Sequence, residues 1–585
     1  MGLITSREGP QSRQHVIDEI MPVYVCSLST LHPVGPSMMQ VPVLIVGGGP
    51  SGLMLANELG IRGVTTLLVD AKPSTAFNPQ ANATQARTME HYRRLGFAQE
   101  IRQLGLPPDH PTDIAYFTRL GSHELARLRL PTPSQATSRV RGMTGAWSAA
   151  ELPHRVSQKW VEPVLLKHAQ KWPSNDIRFG WRLERFEAGP DHVDAWVSPV
   201  DGGDLVHVRA QFMIGADGPR SSVRSALGIA YEGASGVKRD FMGGVMHAVY
   251  LRSPMMYSQI PHDRAWMYVA FNAQRRGFLV SVDGQQEFAF HAALHEGEDG
   301  QALDHAAARE LMRQVLGFEV DVDILSTQNW TAGHSLVAEK FSQGRIFLMG
   351  DAAHLFTPTG GLGYNTAIED AVNLGWKLAS VCKGISPLGL LDSYGFERKR
   401  LALRNTAYAR QFADSVGLYV AHPELETEGP TGEALRAQAG EVLNAHVRLE
   451  FNIPGVTFGG RYDGSPVILA DGTSPPPDMA NDYQPTACPG GRPPHAWMQD
   501  GQSLFDVFHR EWTLLLLGEG PWDTSAVLAQ ATTLGMDLRL VQPDVPDLKA
   551  LYQASMALIR PDHIVAWRGE DGASLARLLP RVLGH

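Results

Sequence analysis

The sequence predicts a mixed α/β and α+β chain: a parallel-sheet module, an antiparallel sheet set within it, and a small α/β unit at the C-terminus. Three observations carry this. Continuous apolar runs at residues 41–46 and 64–69 flank a stretch of helical periodicity at 51–59, as buried parallel strands joined by a crossover helix require. Residues 241–250, 265–271 and 276–282 carry strand-like patterns that suggest an antiparallel sheet walling a site. Beyond Ser474-Pro475-Pro476-Pro477, a linker signal, strands and helices resume at 512–517, 538–541 and 563–567.

In chain order, residues 1–39 read as an N-terminal extension, disordered or docked; Asp18 and Glu19 stand where a secretory signal would be basic. Residues 41–70 form one β-α-β unit. Helical patterns follow at 88–104 and 158–171. Weak alternation at 114–129 places strands of the second sheet near 112–145, and short runs at 178–208 read as a β-meander. Further buried strands are expected at 212–216 and 345–348, and helices at 303–316 and 365–381. The expected boundaries are 40–225 for the first module, 226–330 for the substrate-binding sheet, and 331–420 for the second part of the first module with its following helices. Residues 421–495, rich in Gly, Pro and polar residues, read as a linker region, and 496–585 as the C-terminal unit.

The 585 residues suffice for several cores, and 43% apolar with 19% charged residues is ordinary for a globular chain. Fifty-one basic against 61 acidic residues, a formal charge of -10, argues against nucleic acid or an anionic membrane as the main partner. No run of apolar residues is long enough for a transmembrane helix. Cys26, Cys382 and Cys488 are far apart and form no C-x-x-C pair, so a reducing cytoplasm is the expected compartment. No metal site is expected: the nearest pair, His291 and His295, reads as two histidines on the polar face of a helix.

The first strand ends in Gly47-Gly48-Gly49-Pro50-Ser51-Gly52. In a G-x-G-x-x-G loop between strand and helix, Gly47 permits the turn, Gly49 lets backbone approach a pyrophosphate, and Gly52 lets the helix pack on the strand. The helix N-terminus then offers N–H groups to the phosphates. Asp70 ends the second strand, where a carboxylate accepts ribose hydroxyls and disfavours a 2′-phosphate. A Rossmann-like module for FAD or NAD follows.

Two more motifs decide between these: Gly215-Ala216-Asp217-Gly218-Pro219-Arg220-Ser221-Ser222-Val223-Arg224, and Gly350-Asp351-Ala352-Ala353-His354 followed by Pro358-Thr359-Gly360-Gly361-Leu362-Gly363-Tyr364-Asn365. With them, residues 40–400 resemble the single-component FAD-dependent aromatic hydroxylases, the family of p-hydroxybenzoate hydroxylase and phenol hydroxylase. The segments at 483–485, 489–492, 500–501 and 560–562 are similar to the thioredoxin-like C-terminal domain of the phenol hydroxylase branch; lacking a C-x-x-C, that domain is expected to serve structure or oligomerisation.

The resemblance implies FAD held by the loop at 47–52, Asp70, Asp351 and the segment Gly361, Gly363, Tyr364 and Asn365, with Gln158 on the ribityl chain. It implies that Asp217 and Gly218 serve FAD and a transient NADH or NADPH, with Arg224 as a phosphate contact. Arg87 matches a recurrent arginine of the family and, read from the residues alone, equally pairs with Glu90 at a helix start; Arg220 and Arg224 equally suit a helix surface. The implied reaction is hydroxylation of a phenolic or other activated aromatic ring with NAD(P)H and O2, oxygen adding at flavin C4a. The implied partners are a small aromatic substrate, O2 and, as an open alternative, a second copy in a homodimer. A flavin reductase or halogenase of related fold and a non-catalytic flavin binder are the competing functions; the W-x-W-x-I-P stretch of one halogenase type is absent from the sequence.

At the reacting end, Asn82 stands where phenol hydroxylases carry an Asp, and an amide cannot act as a base. Tyr268 lies near the family's active-site tyrosine, with His247 and His262 as further candidates, and the carbonyl of Pro358 is expected to border the ring-facing loop. Arg252, Arg264, Arg275 and Arg276 are the candidates for a substrate carboxylate.

Overall fold

The computed structural model describes residues 38–298 and 303–585, so residues 1–37 of the expected extension lie outside the described residues, and Met39 already opens the first strand. Among the described residues the first sheet has eight strands, the two-residue strand Ser342–Gln343 lying antiparallel to Ile346–Leu348 at its edge. Its parallel core runs Ile346–Leu348, Val206–Gly215, Met39–Val46, Thr66–Asp70 and Asn175–Phe179, with Trp181–Ala188 and Val193–Pro199 as an antiparallel meander on one flank. Met39–Val46 sits between Thr66–Asp70 and Val206–Gly215 and is paired parallel to both. Such a strand is covered on both faces, which is why its residues 43–46 are uniformly apolar rather than alternating.

The second sheet has seven strands in the order Asp323–Ala332, Gly244–Arg252, Glu287–Ala293, Gly277–Ser281, Met267–Ala270, Ile114–Phe117, Glu124–Leu128. Residues 114–128 thus join strands far along the chain, within the weak alternation at 114–129, whereas the rest of the expected 112–145 strand region turns helical from Pro133. Both faces of this sheet are covered. One packs on the helix His305–Leu316 through Phe117, Tyr268, Leu279, Phe288 and Phe290. The other, with Tyr116, Val269, Phe278, Val280 and Ala289, meets the helix Pro430–Phe451.

That helix corrects the expected linker at 421–495. Its 22 residues place Ala439, Leu443 and Val447 at fourfold spacing against the second sheet, and Gly440 lets it approach the carbonyl of Leu125. The polar residues on its other face masked the stripe in the sequence. His291 is corrected as well: it lies on the Glu287–Ala293 strand, not on a helix.

The C-terminal unit is a four-stranded sheet ordered Leu538–Val541, Trp512–Leu516, Met556–Ile559, Val565–Gly569, parallel in its first pair and antiparallel in the other two. Buried charges join it to the first module: Glu397 accepts from Arg560 at 2.7 Å and from Lys377 at 2.6 Å, and Glu90 pairs with Arg492 at 2.6 Å. Among the described residues no helix is long and apolar enough to cross a membrane, and no cluster of His, Cys, Asp or Glu suits a metal ion.

Candidate active site

The loop at 47–52 has the geometry its glycines require. Gly47 has φ of +116°, and a Cβ there would lie 2.2 Å from the Ala216 carbonyl oxygen. A Cβ on Gly52 would lie 1.9 Å from the Gly47 oxygen, so helix and strand close on each other only with glycine. Gly49 faces open space, which leaves its backbone free for a phosphate to approach. Pro50 opens the helix Pro50–Gly60, and Ser51 is buried against Gly350. Asp70 accepts from the Gly48 N–H at 2.7 Å and the Lys72 N–H at 2.7 Å, which fixes its carboxylate at the strand end beside the loop.

The strand Ile346–Leu348 delivers Gly350 and Asp351 to the same edge. Buried Asp370 accepts from the Gly350 N–H at 3.0 Å and is itself held by Arg398 and His354, both at 2.7 Å. The Asp351 side chain is exposed and makes no hydrogen bond among the described residues; its carboxylate is open to a ligand hydroxyl. Gly360 and Gly361 are both left-handed and lead into the helix Leu362–Cys382, which carries Gly363, Tyr364 and Asn365 in its first turn. The Pro358 carbonyl accepts the Gly361 N–H at 3.2 Å inside this turn. A cradle with an approachable backbone, a free carboxylate and two consecutive left-handed glycines suits a long dinucleotide with a flat ring.

Asn365 stitches this turn to the loop that carries Asn82. Its Oδ1 accepts from the Gln85 N–H and Thr88 hydroxyl, and its Nδ2 donates to the carbonyls of Ala83 and Gly361. Its side chain is therefore engaged within the protein, and contact with a ligand falls to backbone here. Tyr364 meets Tyr92 hydroxyl to hydroxyl. Gln158 donates its backbone N–H to Ala81 at 2.7 Å and its side chain to Glu162 at 2.6 Å. Asn82 donates to the Pro79 carbonyl at 3.2 Å, while its Oδ1 is buried without a partner, an acceptor next in the chain to Ala83, which packs on Gly361.

The motif at 215–224 behaves differently. Asp217 accepts from the Ser221 and Ser222 hydroxyls and from the N–H groups of Ser222 and Val223, so its carboxylate caps a helix turn. Gly218 makes the preceding turn at φ of +82°. Arg224 stacks on Tyr231, 3.9 Å from the ring centre, and the Tyr231 hydroxyl donates to the Asp351 carbonyl.

One open alternative is decided and one expectation is corrected. Arg87 turns to the C-terminal unit: it pairs with Glu90 and donates to the carbonyls of Asp562 and His563 at 2.8 and 2.9 Å, because its helix packs there. Tyr268 lies on the far face of the second sheet. It is fully buried, 6.0 Å from the Phe117 ring, with its hydroxyl accepting the Ala265 N–H at 2.8 Å; burial pushes that hydroxyl up to about 12. His247 and His262 are engaged elsewhere: His247 pairs with Asn329, and His262, in the loop before Met267, packs at a tilt on Phe117 and hydrogen-bonds the Ser122 carbonyl. Strand alternation decides Tyr268 and His247.

The face turned to the loop at 76–83 carries other groups. Tyr250 meets Phe77 edge-on at 5.6 Å, and Ser326 donates to Asn78 at 2.7 Å. Lys159, next to Gln158, donates to Tyr250 at 2.5 Å and Glu287 at 2.8 Å; Tyr250 donates to Glu287 at 2.6 Å. Burial works against charge on Glu287, yet Lys159 and Tyr250 hold its carboxyl below the usual range, so it is a weak base. His291 is pushed down to about 3 by burial and stays neutral. Its Nδ1 accepts from Trp330, which assigns the remaining proton to Nε2 as a donor. Met267, His291 and Trp330 are only half-buried, unlike the sealed opposite face. Lys159 was legible as a neighbour of Gln158; Tyr250, Glu287 and His291 needed the sheet register to be seen.

Residues 40–409 match the family described as FAD binding domain, and residues 486–585 the family described as aromatic-ring hydroxylase, C-terminal. The chain is 31% identical to tetracenomycin B2 monooxygenase-dioxygenase of Streptomyces olivaceus, covering 93% of this chain and 99% of that one. Among solved structures, the rebeccamycin biosynthetic enzyme RebC with reduced flavin superposes with a TM-score of 0.83 at 32% identity, covering 94% of this chain and all of the other (100%). Aklavinone-11 hydroxylase with FAD and aklavinone gives a TM-score of 0.78 at 27% identity, covering 94% of this chain and 100% of that one.

Proposed function

The chain belongs to the FAD-dependent aromatic-ring hydroxylases, and on that premise we propose that it hydroxylates an electron-rich ring within an extended, fused-ring phenolic substrate. The observation that carries the size of the substrate is the second sheet's cofactor-side face. Residues from Met267, Phe278, His291, Tyr250 and Trp330 run across five adjacent strands. At about 4.8 Å per strand this spans roughly 19 Å, several fused rings rather than one. Relatives named for tetracenomycin B2 and for aklavinone support the same size class.

FAD, when bound, supplies the redox chemistry, taking hydride from NADH or NADPH and activating O2, so that one oxygen atom enters the ring in place of hydrogen and the other leaves as water. The loop at 47–52 and Asp70 hold its adenylate end, Asp351 its ribityl hydroxyls, and Gly360 to Asn365 its ring. Asp217 shapes the turn beside the strand edge, and Arg224 braces Tyr231 against Asp351. Asn82 offers its unpartnered Oδ1 to a substrate hydroxyl, and His291 offers an Nε2–H. The apolar face excludes water from the reacting ring. We read the C-terminal unit, from its strand order, as thioredoxin-like and structural.

The test is a panel of 2-hydroxyanthraquinone, 1-naphthol and 2,4-dichlorophenol with the holoenzyme, scored for stimulated NADH or NADPH oxidation and for product mass. Hydroxylated product with kcat/KM rising with ring number is the expected result. Turnover confined to the single-ring phenol would overturn the size reading.

A further inference from the structure

The second sheet and the segment before Gln158 enclose one guanidinium that the protein leaves without a counter-ion. Arg155 is 9% exposed, yet its side chain has no carboxylate partner and no hydrogen bond among the described residues. It lies over the Trp266 ring, 4.0 Å from the centre, with Phe451 at 6.0 Å. Burial alone pushes it down to about 10, with no opposing charge beside it. The contrast with the other arginines of this region is clear. Arg252 pairs with Glu287, Arg275 with Glu298 and Arg276 with Asp240, while Arg264, which also has no carboxylate partner among the described residues, is exposed and stacks on Tyr257, whose ring packs on the far face of the sheet.

Its position is tied to the reacting end. Thr84 and His154 exchange backbone hydrogen bonds at 2.9 Å as an antiparallel bridge, which sets Arg155 opposite Ala83. Ala83 is the residue whose Cβ faces Gly361 and whose carbonyl accepts from Asn365. Ala83 and Trp266 belong to the same apolar cluster on the cofactor-side face. A buried cation without an anion is costly, and a structure retains one where the anion arrives with a ligand.

Resting on the aromatic-hydroxylase reading above, we infer that Arg155 is the residue that selects substrates bearing an ionised oxygen, a phenolate or carboxylate on the ring system. Guanidinium pairs an oxyanion through two parallel N–H groups, and Trp266 fixes its plane beneath the substrate. This also accounts for the weak bases on the same face: Glu287 is held in its charged form by Lys159 and Tyr250, His291 is neutral, and Asn82 is an amide. The phenol loses its proton to solvent because Arg155 stabilises the anion, and an oxyanion activates the positions ortho and para to it.

The experiment uses holoenzyme and three probes of one shape: 2-hydroxyanthraquinone, 2-methoxyanthraquinone and anthraquinone-2-carboxylate. Dissociation constants are read from the flavin absorbance change on binding, independent of turnover, for wild type, Arg155→Gln and Arg155→Lys. Wild type is expected to bind the two ionisable probes about ten- to hundredfold tighter than the methyl ether. Arg155→Gln loses that preference at normal flavin content, and Arg155→Lys recovers part of it. Equal discrimination by wild type and Arg155→Gln overturns the inference and leaves the hydroxylase reading standing. Absence of any preference in wild type overturns it too. Failure of wild type to hydroxylate any ring, with anion preference intact, instead overturns the hydroxylase reading.

Discussion

Tyr268→Phe separates the two faces of the second sheet. The Tyr268 hydroxyl accepts a 2.8 Å hydrogen bond from the Ala265 N–H, and both residues are wholly enclosed, at 0% exposure. Removing one oxygen leaves the ring packing on Phe117 unchanged and strands a buried amide, a cost of about 1–3 kcal/mol. At about 2–4 °C per kcal/mol for mid-sized domains, the melting midpoint falls by roughly 2–12 °C. Nothing on the cofactor-side face is touched, so kcat and KM with a hydroxylated probe stay within about twofold of wild type. Thermal unfolding followed by flavin fluorescence and steady-state NAD(P)H oxidation measure the two quantities on one preparation. A tenfold loss of kcat/KM at an unchanged midpoint would place Tyr268 against the substrate and refute the assignment of faces.

Gly52→Ala would force a Cβ to 1.9 Å from the Gly47 oxygen, and the purified variant is expected to lack FAD, read as the ratio of flavin to protein absorbance. Asp351→Ala removes the free carboxylate and is expected to lose FAD or hold it loosely; normal flavin content would contradict that role. Glu397→Gln leaves buried Lys377 without its carboxylate partner and Arg560 with Asp562 alone, at a cost of about 3 kcal/mol or more, seen as a lower urea midpoint. Acid should weaken the fold early. Burial pushes His154 down to about 4, and His291 and His495 to about 3, against an ordinary value of about 6.5. Between those limits the unfolded chain binds protons that the folded one refuses. Their contribution is therefore present above about pH 6.5 and is lost as pH falls, by up to about 1.4 kcal/mol per unit for each histidine. Equal urea midpoints at pH 7 and pH 5 would refute this.

Much of the first module was legible in order along the chain. The loop at 47–52, the apolar strands and the acid at Asp70 are local features whose spacing carries their geometry, and the structure brings them to one sheet edge together with Gly350 and Asp351. The strands at 244–281 were legible as strands for the same reason. The helix Pro430–Phe451 was not, because a mixed polar stretch conceals an apolar stripe whose partner sheet is hundreds of residues away in sequence.

Which face of the second sheet meets the cofactor was decided only in three dimensions. Both faces are buried, so the pattern Trp266, Met267, Tyr268, Val269 reads as apolar whichever way it points, and Tyr268, His247 and His262 fell on the far side. Arg155 has the same origin. An arginine's type is visible in sequence, but whether a carboxylate stands beside it depends on packing between distant segments: Arg252, Arg275 and Arg276 have one and Arg155 does not. Short-range spacing determined that this chain holds a flavin nucleotide; long-range packing, which sets burial and therefore charge balance, decided which side chains share the face proposed for the substrate.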